Sequence, residues 1–237
     1  MLKSRALILV LCCLLAACQP QPAPDASPAP PAGPEWPVFD YEGAVAGGTP
    51  VFRLDSSSRI DIVVRRDGPL ARFGHDHVIS ATEPEGFLLL DDRMSGTRAE
   101  LRFRTDRLEV DAAADRVRYR LDTEPDEDAV RGTRENLETR VLEVERWPFA
   151  HVELKGFNTE GDRTSANVEV TLQGHTHRSR ESFRLSRRGG EVAVEGSFTL
   201  SQAALGLEPF SVLGGGLRVA DLLEIHVRLL GLPLNPD

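Results

Sequence analysis

From about residue 51 onward, one short run after another alternates apolar and polar residues with a period of two, and this pattern most limits the fold. Ile60, Ile62 and Val64 alternate with Asp61, Val63 and Arg65. Leu101 and Phe103 alternate with Arg102 and Arg104, and Val117, Tyr119 and Leu121 with Arg118 and Arg120. Further runs cover 149–154, 168–172, 183–185, 192–200 and 222–230. Successive side chains of a strand point to opposite faces, so each run reads as a strand with one apolar face, bounded by Gly, Asp, Asn or Pro. About nine such strands with regularly spaced turns predict an antiparallel barrel or sandwich.

One segment breaks the pattern. Residues 133–145 carry Leu137, Val141 and Leu142 at helical spacing, with strong helix formers between them. Trp147-Pro148 stops the run, because the residue before proline avoids the α region. A single helix is therefore expected between two strand blocks, capping an open barrel end or packing on its side.

The N-terminal segment has a different logic. Lys3 and Arg5 precede an apolar run over residues 6–15. That run is too short for a transmembrane helix, which needs about 20 residues, but it suits a signal peptide core. It ends Leu15-Ala16-Ala17-Cys18, which resembles the bacterial lipobox. Residues 1–17 are thus read as a lipoprotein signal peptide and Cys18 as the lipid-carrying residue. More than one acyl chain is needed for stable anchoring. Gln19 after Cys18 resembles the outer-membrane sorting pattern of some Gram-negative bacteria, so the expected place is the periplasm, anchored to the outer membrane, with the inner membrane as the alternative.

Cys12 and Cys13 would leave with the signal peptide, so no disulfide forms within the mature chain and the domain must fold on its core alone. Residues 19–37 contain eight prolines and favour extended polyproline II. The segment 18–50 is read as a tether and 51–233 as one domain. The formal charge of −9, with no basic block, gives no footprint for nucleic acid.

Within the domain, four stretches resemble the YceI-like family of lipocalin-like, polyisoprenoid-binding periplasmic proteins. The first is Phe52-Arg53-Leu54-Asp55 with Ser58-Arg59-Ile60. The second runs from Arg134-Glu135-Asn136-Leu137 to Trp147-Pro148-Phe149-Ala150-His151-Val152. The third is Val170-Thr171-Leu172-Gln173-Gly174-His175-Thr176. The fourth joins Phe198-Thr199-Leu200-Ser201, Leu205-Gly206-Leu207 and Leu217-Arg218-Val219-Ala220-Asp221. The resemblance implies an all-β, antiparallel eight-stranded barrel with one helix between strand blocks, whose apolar channel holds an isoprenoid or another long-chain lipid. A barrel of that size has room for one small ligand. Candidate wall residues are Phe73, Phe87, Leu89, Leu101, Phe103, Phe198 and Leu200; the competing reading is that they fill a solid core.

Four of the six histidines form two His-x-His pairs, His75 with His77 and His175 with His177. Residues two apart on a strand share a face about 6.5 Å apart, so two pairs could offer four nitrogen ligands suited to Zn or Cu. The alternative is that the pairs are polar turn residues beside Gly74 and Gly174, unrelated in space. His151 and His226 sit in strand patterns. No Gly-x-Ser-x-Gly elbow, His-Glu-x-x-His motif or nucleophilic cysteine is present, so no enzyme is expected. Three functions stay open: a lipid-binding barrel, a periplasmic metal-binding protein, and a structural or partner-binding lipoprotein.

Overall fold

The computed structural model describes residues 36–234. The proposed lipid site Cys18, the signal peptide and most of the tether lie outside the described residues. No described helix is long and apolar enough to cross a membrane.

Eight strands run up and down in chain order: β1 (Val51–Leu54 and Arg59–Asp67), β2 (His77–Thr82 and Glu85–Leu89), β3 (Arg98–Arg104 and Glu109–Val110), β4 (Phe149–Glu160), β5 (Arg163–Leu172), β6 (His175–Arg188), β7 (Glu191–Ser201) and β8 (Leu217–Pro233). Each pairs antiparallel with the next, and β8 closes the ring on β1. The closure needs both parts of β1, because Arg59–Asp67 pairs with 218–228 of β8 and 52–54 with 231–233. The break between them is a tight turn in which Asp55 Oδ1 accepts the Ser57 N–H at 2.9 Å. The corresponding break in β2 falls at Glu83, which has a φ of 57°, and that in β3 is a 3-10 turn over Thr105–Arg107. The expected barrel is therefore present, with eight strands rather than the nine or so counted from runs.

The alternation seen in the sequence sorts residues to the two sides of this wall. Ile60, Ile62 and Val64 pair in register with Val227, Ile225 and Leu223, and all six face the interior. One seam is incomplete. The β6–β7 ladder joins 184–188 to 191–195 and stops, although β6 continues to His175 along β5 and β7 to Ser201 along β8. Gly196 marks the parting: a Cβ there would lie 2.9 Å from that of Phe183.

The two barrel ends differ. At one end the strands are joined by short hairpins, and Phe157 and Phe183 meet edge to face at 5.9 Å, packed with Phe52 and Leu90. The other end carries the long connections. There α3 (Glu127–Asn136) is capped by Asp126, whose carboxylate accepts the Ala129 N–H at 2.8 Å. It passes into a π turn, Leu137–Val141, that brings Leu137, Val141 and Leu142 onto the interior. The expected helix over 133–145 thus begins earlier and ends sooner, since Glu143 takes a φ of 45°.

Two other expectations are corrected. The alternating Val117, Tyr119 and Leu121 do not form a strand: α2 (Ala113–Arg118) occupies that place, and Val117 is 78% exposed. Its period of two is fortuitous, since Asp115, Arg116 and Arg118 are held by partners on the barrel's outer face. The domain also begins before residue 51. In the segment expected to be tether, α1 (Tyr41–Ala46) packs Tyr41 against Val51 and Leu89. The buried Glu100 carboxylate then accepts the Val38 and Phe39 N–H groups at 2.7 and 3.1 Å.

Candidate functional site: an apolar cavity inside the barrel

Side chains from all eight strands surround a cavity of about 210 Å³. One water needs roughly 10–15 Å³, so this is far more than a packing defect. At mid-height the wall includes Ile62, Phe103, Val152, Val170, Phe198 and Ile225. Leu137, Val141 and Leu142 beneath α3, with Leu205 and Leu207 from the β7–β8 connection, line the end that carries the long loops. A solid core would place atoms in van der Waals contact across this space. Here the aromatic side chains border it instead.

Of the seven wall residues expected from sequence, Leu101, Phe103, Phe198 and Leu200 line the cavity. Phe87 borders it too, but its ring stacks on Tyr41 at 5.1 Å and leans on Trp36 at 5.8 Å, on the outer layer. Leu89 is a correction: two residues along the same strand, it is buried beneath α1 with Tyr41 and Val51. Phe73 is another, because it lies on a 3-10 turn in the β1–β2 connection and is 65% exposed. An aromatic in a loop has no strand parity to set its direction.

Four polar residues border the apolar wall, Glu100, Thr105, Glu181 and Gln202, although the Glu100 carboxylate itself turns to the outer layer. Three have protein partners. Glu100 clamps the N-terminal segment as described, Thr105 Oγ1 donates to the Trp147 carbonyl at 2.7 Å, and Gln202 Nε2 donates to the Ala220 carbonyl at 2.8 Å. Glu181 was not singled out from sequence. Its neighbours alternate as polar on both faces, so no period shows; extending the register back from Phe183 and Leu185 would have placed it inside.

The histidine pairs do not form one site. Both stand at the end of the barrel with long connections, but on β2 and β6, which are separated by three strands either way around the ring. His75 and His77 have ring centroids 6.3 Å apart, and His77 Nδ1 is engaged by Asp111 Oδ2 at 2.6 Å. The His175 ring sits against Gly206, where a Cβ would come within 2.5 Å of it. Among the described residues, no group of three or more His, Cys, Asp or Glu side chains is arranged to hold a metal ion. The four-nitrogen site expected for Zn or Cu is thereby corrected.

The outer face of β1 carries a buried charge network. Asp61, 1% exposed, accepts from Arg59 Nε at 2.8 Å, from Tyr119 Oη at 2.7 Å and from Arg228 at 2.7 Å. Burial alone would raise the Asp61 carboxyl, but the hydrogen bonds from Arg59 and Tyr119 outweigh it and hold it below the usual range. Asp115 in α2 pairs with Arg59 and Arg118. Asp111 behaves as Asp61 does: burial opposes ionisation, while His77, the Val78 N–H and Arg116 more than offset it.

No family model matches the chain, and no curated protein sequence matches it. Solved structures do. The crystal structure of Burkholderia cenocepacia BcnA is similar with a TM-score of 0.56 at 9% identity, covering 75% of this chain and 98% of that one. A mutant CJ YceI protein is among the structural neighbours, with a TM-score of 0.48 at 5% identity over 64% of this chain and 82% of its own. At such identities a fold is what is shared. The chain has the closed, antiparallel eight-stranded barrel seen in BcnA, the architecture that resemblance to the YceI-like family implies.

Proposed function

We propose that this chain is a YceI-like binding protein, anchored through lipid on Cys18, that holds one long apolar chain such as an isoprenoid inside its barrel. The observation that carries this reading is the cavity of about 210 Å³ walled by apolar side chains of every strand. A flexible chain entering such a space gains roughly 0.8 kcal/mol per methylene removed from water. Ordering the chain offsets part of that gain. The lipobox-like Leu15-Ala16-Ala17-Cys18 supports anchoring, and Gln19 supports placement at the outer membrane.

The test is organic-solvent extraction of the purified protein followed by mass spectrometry. An apolar molecule near one equivalent per chain is the expected result. A chain that yields none, and that binds no added isoprenoid, would overturn the reading.

A further inference from the structure

Glu181 has no hydrogen-bond or ion-pair partner among the described residues, although it lies on the wall of an otherwise apolar cavity. Its place in the fold is also unusual. The β6–β7 ladder ends at Glu195 and Arg184. Carried onward, the same register would set Glu181 opposite Phe198, with Ser179 opposite Leu200 and His177 opposite Gln202. In the structure those strands part instead, and each keeps a ladder on its other side only. The split therefore has a polar edge, where His177, Ser179 and Glu181 share one strand face by alternation, and an apolar edge formed by Phe198 and Leu200. The two ends of the barrel are filled by apolar side chains, Phe157 and Phe183 at one and Leu137, Leu142 and Leu205 at the other.

We propose that the β6–β7 split is the head-group site of the bound chain, and that Glu181 selects a head that donates hydrogen bonds, a hydroxyl or an amine, over an anionic one. This deepens the lipid-binding reading and rests on it. An ionised carboxylate only accepts hydrogen bonds. Placed against apolar surroundings, it favours a donor or cation and repels a phosphate, and the low dielectric of the cavity strengthens both effects. Ser179, two residues along, adds a hydroxyl that can donate or accept. Phe198 and Leu200 across the split offer the first methylenes of the chain an apolar seat.

The experiment uses the purified full chain loaded with the neutral fluorescent probe N-phenyl-1-naphthylamine. Four ligands of one chain length displace it: dodecylamine, dodecanol, dodecyl phosphate and dodecyl methyl ether. The amine and alcohol are expected to displace the probe at concentrations about tenfold lower than the phosphate, the margin of one charge-assisted hydrogen bond. Glu181→Ala is expected to abolish the preference for amine over phosphate, and Glu181→Gln should do the same if the alanine perturbs folding. A phosphate that binds as tightly as the amine, or a preference that survives in both variants, overturns the head-group assignment alone. Failure of all four ligands to displace the probe overturns the chain-binding reading and this one with it.

Discussion

On β1, Ile60, Ile62 and Val64 face the cavity while Asp61, Val63 and Arg65 face outward, and the two sides are held by different physics. The inner side is apolar and borders empty space. The outer side is dense with directional bonds: Asp61 receives Arg59, Tyr119 and Arg228, Asp115 receives Arg118 and Arg59, and Arg65 bridges Asp76 and Glu224 at 3.0 and 2.8 Å. The difference teaches where the barrel's rigidity resides. Main-chain ladders and an outer polar layer hold the wall from outside, while inside the apolar side chains pack against one another around the cavity.

The sharpest way to break that contrast is to cut one member of the outer network. Asp61→Ala leaves Arg228 and the Tyr119 hydroxyl without their buried acceptor, and Arg59 with Asp115 alone, and is expected to cost about 3–5 kcal/mol, measured as a fall in the urea midpoint. A loss below about 1 kcal/mol would show that the network is ornamental. On the inner side, Leu101→Ala should cost about 2–3 kcal/mol, the low end for a buried leucine, because part of its surface already lacks packing partners. A cost above that of Asp61→Ala would reverse the comparison.

Smaller effects sharpen it. Glu100→Ala orphans the N–H groups of Val38 and Phe39, and about 1–3 kcal/mol should be lost; limited proteolysis is expected to cut within 36–50 in the variant and to spare that segment in the parent. Least of all is the effect of His151, half-buried on β4. Burial and, secondarily, the nearby Arg102 lower its pKa, so the unfolded chain binds the proton more readily. Its contribution is present above the unfolded value of about 6.5 and is lost as pH falls through the lower folded value. His151→Gln should flatten the decline in melting temperature between about pH 6.5 and 5, and an unchanged slope would contradict this assignment.

The barrel was legible because its strands have one apolar face, and that is a local property. Ile60 to Val64 and 222–230 reveal their parity without knowledge of partners. Residues whose roles depend on the other side of the sheet were not legible. The alternation puts Asp61 on the polar face of its strand, yet it is buried because α2 and the chain around Asp111 cover that face. Tyr41 and Trp36 were assigned to the tether because prolines dominate the composition up to Pro37, while what holds them, Glu100 and Phe87, lies about 50 residues or more away in sequence. The histidine pairs recur in sequence but stand on opposite walls, since spacing within a strand carries no information about position around a ring.

The central claim is that the interior is a binding cavity and not a core, and Phe103→Glu tests it most directly. Native mass spectrometry and melting curves would be recorded side by side for the parent protein and the variant. The account predicts an apolar adduct on the parent, its absence from Phe103→Glu, and a cooperative melt in both, since space beside the ring can admit water around a carboxylate. A parent without adduct, together with a variant that no longer folds, would show a packed interior and contradict the account.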